Sequence, residues 1–471
     1  MRVKIPLFYD YVFPAYVIPN CMKMDFVLIN YIHSQHSNRS NGNDLFMSNQ
    51  SSDLFQKIFG DSLGNGHWPA CWNSDSQLRT GSLQDYIEID STSLFMGKKQ
   101  YNKYLYPVSM TPYIDDFTGD TCTGSKLNGE YFWKYMSHEA LTDARQGRAF
   151  IVLDYLQENE VPKYIYENLH RGLRKSGISP SQVFLLFNTF NGADVYKEWF
   201  SEEERMLNVV NFPYMILNSS FHYGENKHIK TLNREDFLSS KNQLRPKHFL
   251  FKIRRPRDHR QVLLAQLYND GYLNKGNWSC LQKLNHDINH LNLTLTNFGF
   301  NKIEPEKIME LHNELPKTLS DEANEDFYSL GGWADVPNSY LSSYLYIATE
   351  TYMDLSNKSL TEKVFKPIAH FMPFVFASWP GSLKLLRELG FKTFSPFIDE
   401  SYDNESNNSI RLQKIYQEIK RLCDMPIQEL HNWYWSMEDI LIHNQNHLVN
   451  FYKNNSYSKN LTDTLRDKLY S

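Results

Sequence analysis

The sequence predicts an α/β protein built from two Rossmann-like domains facing each other across a cleft. Three observations carry that expectation. Short apolar runs of strand type alternate with stretches of helical spacing from residue 149 onward, the pattern of a parallel sheet with helical crossovers. A polar, charged segment over 224–247 separates two such series. At 471 residues, the chain is also too long for one small core.

The elements follow in order. Residues 34–64, rich in Ser, Asn, Gly and Asp, read as a long loop. Helix is expected over 131–135, then a buried strand over 149–154 that ends in Asp154. Apolar positions over 164–175 have helical spacing, with Gly177 as the stop. Strands are expected at 182–187 and at Met215-Ile216-Leu217. The second series opens with a strand over 248–253 and a helix over 260–269 stopped by Gly271. An irregular polar insertion is expected over 281–335. A strand over 344–350, a polar loop, Glu362-Lys363 at a helix start, a strand over 373–377 and a turn at Trp379-Pro380-Gly381 then form one half of a nucleotide-binding domain. An amphipathic helix over 410–422 and a terminal helix opening near His431 complete the chain. The expected domains are 1–245, 246–425 and a helical segment, 426–471, packing back on the first.

Composition narrows the classes. With 22% charged and 41% apolar residues the chain reads as globular, and a net charge of −5 argues against a generally basic nucleic-acid coat. Five scattered cysteines without C-x-x-C spacing predict neither a zinc site nor a disulfide framework, and point to a reducing, cytoplasmic compartment. The first twenty residues, broken by Asp10 and three prolines, make neither a signal peptide nor a membrane span.

Four constellations bear chemistry. Arg254, Arg255, Arg257 and Arg260 follow a buried strand and, with Arg245, Lys247 and Lys252, place seven cations between 245 and 260. Guanidinium forks at a strand end leading into a helix suit a diphosphate; a solvated basic loop is the plain alternative. In Glu362-Lys363, a carboxylate able to accept ribose hydroxyls stands beside a cation able to neutralise a leaving diphosphate, although such pairs are common on exposed helix starts. Over 390–403 the aromatics read as core, while Asp399, Glu400 and Asp403 are either sugar ligands or helix caps. Asp154, Glu158 and Glu160 stand at or beyond a strand end, where a carboxylate would serve as a base for an acceptor hydroxyl; an exposed loop acid without a catalytic role is the commoner alternative for each. His222, His248 and His259 lack metal-ligand spacing, and neither G-x-G-x-x-G nor a P-loop occurs.

The stretch Ser343-Tyr344-Leu345-Tyr346-Ile347-Ala348-Thr349-Glu350, with Leu360-Thr361-Glu362-Lys363 and Pro373-Phe374-Val375, resembles the donor-binding signature of α-1,3-fucosyltransferases. The segments 254–260 and 390–403 are similar to ones shared by a group of viral and bacterial glycosyltransferase-like proteins. The resemblance covers about residues 248–421, and Thr351 stands where the fucosyltransferase pattern has Asn. It implies a GT-B fold, a nucleoside-diphosphate sugar as donor substrate, no metal or other cofactor, and inversion at the transferred sugar. By the same resemblance Glu362 holds the ribose while Lys363 and Arg254 bind the diphosphate. The location implied is cytoplasmic, in the host if the source is viral.

The expected activity is therefore transfer of a hexosyl or fucosyl-type sugar to a hydroxyl of a glycan, with nucleic acid as an alternative acceptor. Lys363, Arg254 and Glu158 are the expected catalytic residues, and Arg254, Arg255, Arg257, Glu350, Glu362 and Lys363 the expected donor contacts. Two other classes stay open: a non-catalytic nucleic-acid-binding protein using the basic run at 245–260, and a degenerate transferase fold with a structural role.

Overall fold

The computed structural model describes residues 5–9, 89–93, 103–109, 133, 138–155, 163–224, 232–284, 287–320, 337–354, 358–454 and 456–470. Its strands, in chain order, are β1 (Ile5–Tyr9), β2 (Ile89–Ser93), β3 (Tyr104–Ser109), β4 (Ala149–Tyr155), β5 (Val183–Phe187), β6 (Asn208–Asn211), β7 (Lys247–Ile253), β8 (Gly276–Cys280), β9 (Ser343–Thr349) and β10 (Phe374–Ala377). The helices are α1 (His138–Arg145), α2 (Lys163–Ser176), α3 (Gly192–Trp199), α4 (Tyr214–Gly224), α5 (Arg234–Ser239), α6 (Asp258–Asn269), α7 (Ile288–Asn297), α8 (Pro305–Asn313), α9 (Pro337–Leu341), α10 (Glu362–Ala369), α11 (Ser382–Glu388), α12 (Asn408–Asp424), α13 (Ile427–Trp435), α14 (Glu438–Asn454) and α15 (Tyr457–Tyr470). The chain divides into two compact units: Met1–Phe221 with Ser356–Ser359 and Tyr452–Ser471, and His222–Leu355 with Leu360–Phe451.

The first unit holds a parallel six-stranded sheet, ordered β2-β1-β3-β4-β5-β6. Its β5 reads Val-Phe-Leu-Leu-Phe and every residue is buried, as expected of a strand covered on both faces. Ile165, Leu169 and Leu173 of α2 pack with Ile151, Leu153 and Leu185 of the sheet in one apolar cluster.

The second unit holds a parallel four-stranded sheet, ordered β10-β9-β7-β8. From β7 the chain passes through α6 to β8 on one side; from β9 it passes through α10 to β10 on the other. Strand order reverses between β7 and β9, so the two crossovers diverge there and leave a crevice outside the carboxyl ends of those strands. All seven residues of β9 are buried, and α6 is buried from His259 to Leu267. The fold class expected from the sequence, α/β with two Rossmann-like units, is the one observed.

Two local expectations change, and one strand had none. Met215-Ile216-Leu217 lies in α4, not in a strand. Three adjacent apolar residues fit either element, and Asn188 Oδ1 decides by accepting the Met215 N–H at the helix start (3.1 Å). Residues 281–335 contain α7 and α8, whose few buried positions (Leu291, Thr294, Leu295, Ile308 and Leu311) are too sparse to stand out in a polar sequence. The edge strand β8, Gly-Asn-Trp-Ser-Cys, is not an apolar run at all. A Cβ on Gly276 would stand 2.2 Å from the ring of Phe249, its partner on β7, so glycine is what lets the two strands pair. The predicted helix at 131–135 lies outside the described residues except Trp133, and the loop at 34–64 lies wholly outside them.

Candidate functional site

The crevice of the second unit is built from the two segments that leave β7 and β9. Leu250 pairs with Tyr346 across these strands, and counting on by four brings Arg254 level with Glu350. Neighbouring strands lie about 4.8 Å apart, so the basic loop and the acidic residue leave the sheet side by side.

Arg260, in the first turn of α6, fastens the two loops together. Its Nη1 donates to Arg255 O (3.0 Å), and its Nη2 donates to Thr349 O (3.0 Å) and Glu350 O (2.8 Å). Burial pushes its guanidinium down to about 10, against the fields of Glu350 and Glu362, so it stays charged at neutral pH. His259 is also buried, and its Nε2 lies 2.9 Å from Glu350 O. A carbonyl can only accept, so this nitrogen carries the proton. Burial first, then the charge of Arg260, pushes the imidazole down to about 3, and it is neutral at working pH. Both residues are spent inside the fold, where they hold the end of β9 against the basic loop.

Arg254 and Arg255 are exposed beyond β7, ahead of α6, whose N-cap residue Arg257 makes no side-chain cap. Arg257, half-buried, lies over the Tyr352 ring at 5.4 Å, linking the basic loop to the loop after β9.

On the other side of the crevice, Thr361 caps α10, and Glu362 and Lys363 form its first turn. Lys363 Nζ stands 3.1 Å from Glu362 Oε1, 3.2 Å from Thr361 Oγ1 and 3.7 Å from Glu350 Oε2. Glu362 and Lys363 are about a quarter exposed, at 26% and 25%, whereas Glu350 is 2% exposed. Burial pushes the Glu362 carboxyl up, but Lys363, Lys366 and its own backbone N–H outweigh that and hold it down to about 2. A carboxylate and an ammonium, both charged, thus sit together at a helix N-terminus.

Arg411 of α12, 1% exposed, closes the floor. It donates through Nε to Ser378 O (2.9 Å), through Nη1 to Glu405 O (2.6 Å) and through Nη2 to Met353 O and Asn408 Oδ1. One buried guanidinium therefore clamps the loops that follow β9 and β10.

The acids of 399–403 serve the fold. Asp403 accepts the backbone N–H groups of Leu383 (2.9 Å) and Lys384 (3.0 Å) at the start of α11, and Glu400 accepts from Phe394 N (2.5 Å), Thr393 Oγ1 (2.8 Å) and Arg387 Nη1 (3.2 Å). Phe391 and Phe394 are core.

The second unit therefore carries Arg254, Arg255, Arg257, Glu350, Glu362 and Lys363 on the two segments that flank one strand-order reversal. Glu158 lies outside the described residues. The sequence assigned no supporting role to His259, Thr361 or Arg411, and it grouped Arg260 with the diphosphate cations, whereas Arg260 is buried on backbone carbonyls. Thr361 had a signal, a Thr directly before an acidic first turn. The buried arginines had none, because nothing local distinguishes Arg260 from the exposed Arg254. Among the described residues no cluster of His, Cys, Asp and Glu is placed to hold a metal ion, and no helix is long and apolar enough to cross a membrane.

No family model matches the chain, and no curated protein matches it by sequence. Among solved structures, an E. coli trehalose-6-phosphate structure bound with UDP-2-fluoro glucose matches at 12% identity, over 98% of this chain and 99% of that one, with a TM-score of 0.38. An α,α-trehalose-phosphate synthase (UDP-forming) from Burkholderia vietnamiensis matches at 11% identity over 98% and 91%, with a TM-score of 0.37. The Glycosylation Associate Protein (Gap123) complex from Streptococcus agalactiae matches at 10% identity and a TM-score of 0.29, over 79% of this chain and only 55% of that one. At such scores the likeness is too loose to transfer chemistry. The fold class stands on the two parallel sheets, and any reading of the reaction stands on the residues of the crevice.

Proposed function

We propose that the chain is a GT-B-type glycosyltransferase that moves a hexosyl or fucosyl-type sugar from a nucleoside-diphosphate sugar to an acceptor hydroxyl, on a glycan or, as the alternative, on nucleic acid. One observation carries the reading. The reversal of strand order in the second unit sets an exposed arginine loop and the α6 N-terminus beside a second helix start bearing Glu362 and Lys363. Cations suit a diphosphate, and an ionised carboxylate 3.1 Å from one of them, Lys363, suits a ribose diol.

In this reading Arg254 and Arg255, with the backbone N–H groups of α6, hold the diphosphate, and Glu362 accepts the ribose hydroxyls. Arg257 supports the basic loop from the Tyr352 side. As the acceptor oxygen attacks the anomeric carbon, the bond from that carbon to the phosphate oxygen breaks. Lys363 and Arg254 then stabilise the charge collecting on the departing diphosphate. The acceptor proton goes to a carboxylate, for which Glu158 is our candidate. We propose inversion at the anomeric carbon and no metal ion. Donor binding belongs to the second unit and acceptor binding to the first.

Support against the nucleic-acid-coat alternative comes from the fate of the basic run. Arg245 and Arg260, two of its seven cations, are buried, so the run presents fewer charges to a phosphate backbone than the sequence suggests.

The test is a panel of UDP-, GDP- and dTDP-sugars screened for thermal stabilisation and then assayed for transfer and donor hydrolysis. At least one donor should raise the melting temperature by mass action. Lys363→Ala should lower turnover with that donor by about 10²–10³-fold, the usual cost of removing a preorganised donor to developing charge. Glu362→Ala should weaken donor binding. Absence of stabilisation across the panel, or full activity in both variants, refutes the assignment.

A further inference from the structure

Glu350 is buried just beyond the end of β9, and its carboxylate is already engaged by the protein. It accepts from Thr361 N (3.0 Å) and Thr361 Oγ1 (2.7 Å to Oε1 and 2.9 Å to Oε2), and Thr351 N lies 3.3 Å from Oε2. With 2% of its side chain exposed, it does not reach a ligand directly.

The hydroxyl of Thr361 completes the chain of contacts. It has one proton and two lone pairs. The proton is spent on Glu350, which turns the lone pairs toward Lys363, whose backbone N–H and Nζ lie 3.4 Å and 3.2 Å from Oγ1. Nζ has three N–H donors: one is on Thr361 and one on Glu362 Oε1. Glu350 Oε2, at 3.7 Å, attracts the ammonium but is beyond hydrogen-bond reach, so the third is left for an incoming oxygen.

We propose that Glu350 is a positioning residue that acts through Thr361: it fixes the hydroxyl so that the Lys363 ammonium is held with one donor aimed at the terminal phosphate of a nucleoside diphosphate. This rests on the donor-site reading above and refines it, because Glu350 recognises no part of the donor itself. On donor arrival that third N–H meets a phosphate oxygen while Thr361 and Glu350 keep the ammonium in place, and the Glu362 carboxylate, held beside Lys363, accepts from the ribose. Binding of the ribose and of the terminal phosphate are thereby coupled.

The test compares nucleoside diphosphates with their monophosphates (UDP and UMP, GDP and GMP, dTDP and dTMP) by titration calorimetry. In the wild type the diphosphate of one pair should bind more tightly. Glu350→Gln should cut that advantage by about tenfold, the scale of one charge-assisted hydrogen bond, and should have no further effect in a Lys363→Ala background. Should Glu350→Gln fail to fold, Thr361→Val and Thr361→Ser supply the same comparison, with Val losing the advantage and Ser keeping it. A purely structural role predicts a lower melting temperature with mono- and diphosphate weakened alike, and that result overturns the proposal. So does an unchanged diphosphate advantage in Glu350→Gln or Thr361→Val, with the donor-site reading left standing. If the wild type binds no nucleoside diphosphate, the donor-site reading fails and this proposal with it.

Discussion

Replacing Arg411 with methionine should weaken the second unit by about 3 kcal/mol, and the figure can be built from its contacts. The guanidinium donates to the carbonyls of Ser378, Glu405 and Met353 from a site where it is 1% exposed. Three bonds from a charged donor, at about 1.5 kcal/mol each, sum to roughly 4–5 kcal/mol. Methionine fills much of the volume and, being apolar, avoids the cost of stripping a charge of water, which returns about a third of that sum. Left behind are three carbonyls facing a thioether that cannot donate. For a unit of this size the loss corresponds to a fall of about 6–12 °C in melting temperature. Urea titration followed by tryptophan fluorescence, with calorimetry for the melting temperature, measures both quantities. Because Met353 and Ser378 lie in the loops after β9 and β10, nucleotide binding should weaken as well. A variant within about 0.5 kcal/mol of wild type would refute the clamp, since surface-like tolerance is incompatible with the Ser378, Met353 and Glu405 carbonyls losing a buried donor.

Three further outcomes follow from the same contacts. His259 is buried neutral, with its pKa pushed down to about 3 from the ordinary 6.5. The unfolded chain therefore takes up a proton that the folded one refuses, and stability falls by up to about 1.4 kcal/mol per pH unit from pH 6.5 down to about 3; His259→Asn should flatten that limb in urea midpoints measured across pH. Glu362, held down to about 2 from 4.5, contributes stability above pH 4.5 that is lost as the pH falls toward 2, so Glu362→Gln should reduce the acid sensitivity in that window alone. Tyr434→Phe removes a hydroxyl that accepts from Arg245 Nη2 (2.7 Å) and donates to Phe371 O (2.7 Å), and should cost about 1–3 kcal/mol in unfolding free energy.

The site residues visible in the sequence are those whose chemistry is local. Glu362 and Lys363 are adjacent, follow a capping threonine and lie between two apolar strands, so their placement at a helix start needs no distant information. The basic run after β7 is equally visible, but which of its members reach solvent is not. Arg254 and Arg260 are six residues apart and alike in type, yet one is exposed and the other buried against carbonyls of β9, nearly ninety residues on. Arg411 belongs to the same class, reading as one polar position of an amphipathic helix while its side chain is entirely enclosed.

By itself the sequence determined the alternation of strands and helices, the α/β class and the two segments that bear the charges, because hydrophobic period and capping act over a few residues. Strand order was decided only by the tertiary structure, since the pairing of β7 with β9 across a stretch that includes α6, β8, α7, α8 and α9 depends on which apolar faces bury each other. That order converts two distant charged segments into neighbours. It also decides which arginines are consumed as internal donors to backbone carbonyls and which are left facing water.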